Sequence, residues 1–194
     1  AFPAFIKVAG KRALVVGNGE EALAKCRLLS ETEALIVLVA DAPSADLAAF
    51  VEKNAIEHID AVFTSELLTG AVMAFGATGD SAADREIVAA ARAFGILANA
   101  VDQPEFCDFY TPALVNRAPI AVAIGSEGAG PVLTQMIRSR IETILPRSTG
   151  PLARLGALYR VAVDRLVPRG VARRRFWRAF FDGDVRWLRH YGFS

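Results

Sequence analysis

Val15-Val16-Gly17-Asn18-Gly19-Glu20-Glu21-Ala22 is the stretch that most narrows what this chain can fold into. A β-branched run, Ala13-Leu14-Val15-Val16, stops at Gly17. Helical spacing follows over 20–30, with Ala22, Cys26 and Leu29 on one side. Gly17, Gly19 and Ala22 fit the G-x-G-x-x-G/A pattern in the context it requires: a strand before, a helix after, a second strand beyond. Gly17 permits a tight turn, Gly19 lets the backbone approach a pyrophosphate, and Ala22 lets helix and sheet pack closely. The N–H groups at the helix start are then offered to phosphate. Glu20 and Glu21 repel a pyrophosphate, so their carboxylates are expected to face solvent while their N–H groups contribute.

A second apolar run, Leu35-Ile36-Val37-Leu38-Val39, leads to Asp41, 22 residues after Gly19. An acidic residue there binds ribose hydroxyls and disfavours a 2′-phosphate, so NAD is expected over NADP. A weaker strand candidate covers 56–59, and an apolar run covers 71–77 before Thr78-Gly79-Asp80. A helix is predicted over 81–94, with Ser81 as its cap, Asp84 in its first turn and Gly95 as its stop. A short strand follows at 96–98. Continuous apolar runs separated by helices predict an α/β fold with a parallel sheet covered on both faces. Ligands of such sheets sit beyond the carboxyl ends of the strands, which puts Thr78 near the same crevice.

After Asp102 the pattern changes. Residues 103–116 read as irregular or mixed, Ile120-Ala121-Val122-Ala123-Ile124 as a strand, and 131–145 as a helix opened by Pro131. Residues 151–194 read as two or three helices broken at Pro168-Arg169-Gly170. Asp102 directly follows a predicted strand and has two readings: a carboxylate facing the nicotinamide end of the crevice, or a turn or cap aspartate. The turn Gly125-Ser126-Glu127-Gly128-Ala129-Gly130 also has two: an anion cradle using Ser126 and backbone N–H groups, or a sharp connection.

With 194 residues, 53% of them hydrophobic and 22% charged, the chain has material for a true core and is not disordered. Cys26 and Cys107 make no disulfide framework and lack metal-ligand spacing; they read as reduced thiols of a cytoplasmic protein. His58 and His190 leave little for a permanent metal site. No apolar run reaches the ~18 residues of a transmembrane helix, and no signal peptide is visible at the start.

The net charge of +1 hides an asymmetry. Residues 1–150 carry 12 Lys and Arg against 18 Asp and Glu, whereas residues 151–194 carry 10 Arg against 3 Asp. Arg173, Arg174, Arg175 and Arg178 alternate with Phe176, Trp177, Phe180 and Phe181. Three readings stand: an amphipathic helix packing its aromatics, which is the favoured one; a surface for substrate carboxylates; or a nucleic-acid surface, the least favoured.

Taken in order, these residues carry a family resemblance. Phe2-Pro3-Ala4-Phe5, the 15–29 nucleotide loop and helix, Ala77-Thr78-Gly79-Asp80, Asn99-Ala100-Val101-Asp102-Gln103-Pro104, Phe109-Tyr110-Thr111-Pro112, Asn116-Arg117-Ala118-Pro119 and the 123–133 loop all match. The chain resembles the N-terminal module of sirohaem synthase, the precorrin-2 dehydrogenase/sirohydrochlorin ferrochelatase family. Asn18, Gly79, Gly125, Glu127 and Gly130 depart from the family's usual residues.

The resemblance implies a Rossmann-like NAD-binding domain over 1–112, a dimerisation region over 113–147 and a helical C-terminal domain over 148–194. It implies NAD-dependent oxidation of precorrin-2 to sirohydrochlorin, then insertion of ferrous iron, which is a substrate here and not a resident metal. It places the shared acid/base on Asp102, NAD contacts on Gly19, Glu20, Glu21, Asp41 and Ala42, and a substrate-binding or phosphorylation loop on Ser126 and Gly128. The implied partners are a tetrapyrrole, a second copy in a homodimer, and a fused or separate methyltransferase, with no membrane. The alternatives are a dehydrogenase without chelatase activity and a non-enzymatic NAD-sensing regulator.

Overall fold

A computed structural model describes residues 1–183. The chain divides into two compact units: Ala1–Thr111 with Gly125–Ala129, and Pro112–Ile124 with the chain from Gly130 onward. Among the described residues no helix is long and apolar enough to cross a membrane.

The first unit is the expected α/β fold. Its strands are β1 (Arg12–Val16), β2 (Leu35–Val39), β3 (Glu57–Ile59), β4 (Ala71–Gly76) and β5 (Leu97–Ala100). They form one parallel sheet in the order β3-β2-β1-β4-β5. Helix α1 (Glu20–Leu29) and helix α2 (Ala45–Lys53) serve one face, and α3 (Ser81–Ala93) serves the other. The strands are apolar on both faces, as a doubly covered sheet demands. Ala13, Val15, Ile36, Leu38 and Phe75 pack with Leu23, Cys26, Leu47 and Val51 of α1 and α2. Leu14, Val16, Val37, Val39 and Ala74 pack with Ile87, Val88 and Ala91 of α3. Each such buried Leu or Val contributes roughly 1.5–3 kcal/mol. Cys26 is buried and free, and burial pushes its thiol up to about 11.

The strand ends are level. Val16 is in register with Val39 and with Gly76, and Gly76 with Ala100. The ladder runs one residue further: the N–H groups of Gly17, Ala77 and Val101 donate to Val39, Val16 and Gly76. Gly17, Ala40, Ala77 and Val101 therefore leave the sheet along one edge.

Several local expectations need correction. Helix α2 and a 3-10 turn at Ser65–Leu68 were not foreseen. Ser44 starts α2, its hydroxyl accepting from Leu47 N at 3.4 Å. The cap of α3 is Asp80, not Ser81: its carboxylate accepts from Ala82 N at 2.8 Å, as a short side chain at that position does. Gly95 does end the helix, in the left-handed region at φ 70°.

In the second unit, β6 (Ala113–Arg117) begins inside the stretch read as irregular or mixed and pairs antiparallel with β7 (Ile120–Ile124). Then come α4 (Pro131–Ile144), α5 (Thr149–Leu166) and α6 (Val171–Asp182), with the break at 168–170 as expected. Val163, Val167 and Phe176 make a small core with Trp177 and Phe180 packed on it. Arg173 donates to the carboxylate of Asp164 at 2.7 Å and to the Val167 carbonyl at 2.8 Å, closing the end of α5. Arg174, Arg175 and Arg178 are exposed. His190 and any third C-terminal helix lie outside the described residues.

Asp84 binds the first turn of α3 to the end of β4. It is buried, and one oxygen accepts from Thr78 N at 2.9 Å and from Thr78 Oγ1 at 2.8 Å. Removing it strands a backbone N–H beside the sheet. Asp84→Ala should lower stability by about 2–3 kcal/mol in urea unfolding, and Asp84→Asn by less.

Candidate functional site

A crevice of about 480 Å³ opens at the level carboxyl edge of the sheet. Its floor is Val16, Gly17 and Asn18 after β1, with Asp41 after β2 and Thr78 after β4; Glu86 and Ile87 of α3 and the loop at 61–65 wall it. This is the point where strand order reverses, between β1 and β4, and there α/β sheets take their ligands.

Gly17 is fixed by crowding. Any Cβ on it would collide with the carbonyl of Ala77 on the neighbouring strand end. Gly19 has the opposite setting: a Cβ there would meet nothing within 4 Å. It begins α1 with no side chain bonded over the cap, so the helix end stays open to an anion. Glu20 does not block it. Its carboxylate is drawn back along the helix to Arg27 at 3.5 Å, with the glutamate side chain 75% exposed.

Asn18 is the residue that sequence reasoning missed. Its Nδ2 donates to Asp41 Oδ1 at 2.8 Å, its Oδ1 accepts from Ala42 N at 3.3 Å, and its carbonyl accepts from Ser44 N at 2.8 Å. One side chain thereby ties the glycine loop to the loop after β2. The residue stands between two glycines and only its amide, with a donor and an acceptor, hints at such a role. Thr78 lines the crevice, but its hydroxyl is engaged with Asp84 and with Asp80 N at 3.1 Å.

Gly17, Asp41 and Thr78 are thus brought together, with Gly19, Glu20 and Glu21 following directly and Ala42 tied in through Asn18. Asp102, Ser126 and Gly128 are not among the residues lining this crevice. Asp102 stands exposed in the turn after β5, in the left-handed region at φ 57°, a conformation that Asp tolerates better than most residues. Glu127 and Gly128 are also left-handed, at φ 50° and 82°, and the Ser126 carbonyl accepts from Ala129 N at 2.8 Å.

The loop that carries Asp102 is firmly held. Buried Asn99 donates to Cys107 Sγ at 3.1 Å and to the Phe109 carbonyl at 2.9 Å. Asp108 accepts from Ala98 N at 3.0 Å and from Arg92 Nε at 2.9 Å. The ring of Phe109 meets that of Phe75 edge-on, with centroids 5.5 Å apart. Burial raises the Cys107 thiol above its ordinary value. Among the described residues no three His, Cys, Asp or Glu side chains gather in a metal-holding group.

Comparison with known proteins agrees with this geometry. Residues 4–113 match the family described as "Putative NAD(P)-binding". The chain belongs to that family. Residues 148–188 match the sirohaem synthase dimerisation region, and the two together are the parts of a sirohaem synthase N-terminal module, as the resemblance implied. The sirohaem synthase of Chromobacterium violaceum is 41% identical over 184 residues, and that of Thioalkalivibrio sulfidiphilus 38% over 184. Both alignments cover 95% of this chain, but it spans under two-fifths of the relatives' own length, 39% and 38%. A solved structure titled "SirC, precorrin-2 dehydrogenase" superposes with a TM-score of 0.80 at 21% identity, covering 98% of each chain, which shows a shared fold.

The Asn18 tether predicts a specific loss. Asn18→Ala removes two side-chain bonds of about 1 kcal/mol each. Dinucleotide affinity should fall by roughly 5- to 30-fold by calorimetry, and the melting temperature by a few degrees.

Proposed function

We propose that this chain binds NAD in the crevice between β1 and β4, oxidises precorrin-2 to sirohydrochlorin and then inserts ferrous iron to give sirohaem. The observation that carries the reading is the level sheet edge, on which an open helix start, the Asp41 carboxylate and the Asp102 turn follow the carboxyl ends of β1, β2 and β5. The matched family and the sirohaem synthase relatives support it.

The open start of α1 receives the pyrophosphate on its N–H groups, at Gly19, Glu20 and Glu21. Asp41, held by Asn18, takes the ribose hydroxyls and repels a 2′-phosphate, which selects NAD. Bound NAD supplies the hydride acceptor. Asp102 accepts the proton that leaves precorrin-2 with the hydride. In the second reaction two pyrrole N–H protons must leave as iron enters, and the same carboxylate accepts them in turn. The tetrapyrrole nitrogens hold the iron, so this step needs no resident metal site. Ser126 and Gly128 belong to a loop for substrate binding or phosphorylation.

Anaerobic incubation with precorrin-2 and NAD should yield NADH and the absorption of sirohydrochlorin. Asp102→Ala should keep NAD affinity within about twofold and lose at least ~100-fold in turnover, the usual scale of a removed general base. Wild-type turnover in that variant would remove Asp102 from the mechanism. Sirohydrochlorin with ferrous iron, assayed separately, distinguishes the full activity from dehydrogenation alone. Retained NAD binding without any turnover would favour a regulator.

The chain also assembles as a homodimer in this reading. Its second unit exposes Val132, Leu133 and Met136 on α4 and Leu158, Val161 and Leu166 on α5, and its 148–188 stretch matches a dimerisation region. Leu158→Glu should shift the mass measured by light scattering toward a monomer while leaving NAD binding intact.

A further inference from the structure

Two carboxylates, Asp41 and Glu86, line the crevice, and no lysine or arginine does. The reading above uses Asp41 and leaves Glu86 without a task. Helix α3 turns Ala83, Glu86, Ile87 and Ala90 to the crevice, the i, i+3, i+4, i+7 spacing of one helical face. The residues just before Glu86 are committed elsewhere. Asp84 is buried against Thr78. Arg85 donates to the Ser81 carbonyl at 3.0 Å, and its guanidinium lies 5.3 Å from the centre of the Phe106 ring. Glu86 is exposed, and among the described residues its carboxylate has no hydrogen-bond or ion-pair partner.

The loop at 61–65 supplies the second wall. It is anchored at both ends, the Ala61 N–H donating to the Ile59 carbonyl at 3.0 Å and the Leu67 N–H to the Thr64 carbonyl at 3.1 Å. Phe63 packs on the core, and Val62 stands 71% exposed. Apart from the hydroxyls of Thr64 and Ser65, Glu86 is the one polar side chain on these two walls. An apolar slot with a single acceptor suits a flat apolar ring that carries a donor on its edge. With Asp41 on the ribose hydroxyls, the base joined to that ribose lies in the same crevice. We propose that the slot takes the adenine ring and that Glu86 accepts a hydrogen bond from its exocyclic 6-amino group, so that the chain selects its dinucleotide by the base as well as by the ribose. This rests on the crevice being the NAD site and not on the precorrin-2 chemistry. A 6-oxo purine puts an acceptor where the amino group was, and two facing acceptors are left without a donor.

The test is calorimetry on the whole chain with NAD and with nicotinamide hypoxanthine dinucleotide, which carries a 6-oxo group in place of the 6-amino group. The wild-type chain should bind NAD about tenfold more tightly than the hypoxanthine analogue, the scale of one hydrogen bond to a charged group. Glu86→Ala should weaken NAD by about tenfold without weakening the analogue, which erases the preference. Glu86→Gln, whose amide both accepts and donates, should bind the two dinucleotides nearly alike. Both variants should melt near the wild-type temperature, because Glu86 is exposed and holds no partner in the fold. Equal affinity of the wild-type chain for the two dinucleotides, or an equal loss of both in Glu86→Ala, would overturn the proposal and leave the crevice as the dinucleotide site. A wild-type chain that binds neither would overturn the NAD reading along with it.

Discussion

Everything at the candidate site depends on how closely β1 and β4 approach at their carboxyl ends. The N–H of Ala77 donates to Val16 and the Gly17 N–H to Val39, so the three strand ends are bonded one residue beyond the sheet. In that grip the carbonyl of Ala77 occupies the space a side chain at Gly17 would need. The missing Cβ lets the chain turn at once into Asn18 and the start of α1. Crevice, open helix end and the placing of the Asp41 carboxylate all descend from that one contact.

A second layer of order supports this edge from behind. Asp84 reaches from α3 to the Thr78 backbone, and His58 Nε2 lies 2.8 Å from the Ala40 carbonyl. Each holds a strand end through a polar side chain placed on a different element. The loop after β5 is treated in the same way by Asn99, Asp108 and Arg92. The candidate site residues thus stand on loops that are individually anchored, which is how a rigid scaffold presents a site.

Much of this was legible in the sequence, and the reason is local. Strands β1, β2 and β4 are continuous apolar runs because both faces are buried, and the glycine pattern needs only eight residues to be seen. Asp41 could be placed because a strand of known length must end there. What escaped was set by partners distant in the chain. Strand β6 reads as mixed because only Val115 is fully buried, and its partner β7 lies beyond a turn. Helix α2 buries just Leu47 and Val51, too thin a stripe to stand out. Asp80 took the cap from Ser81 because the helix begins one residue earlier than the hydroxyl pattern suggested. Asn18 gains its partners from a loop more than 20 residues away, which no periodicity records.

The bond from Asn18 to Asp41 couples two properties that are usually thought of separately. In the proposed reading Asp41 takes the ribose, and the same carboxylate is one of the anchors of the glycine loop. A lineage moving toward a phosphorylated cofactor would have to discard that carboxylate, and with it the partner of the amide next door. On that reading cofactor preference is not a single-site trait: positions 18 and 41 drift as a pair.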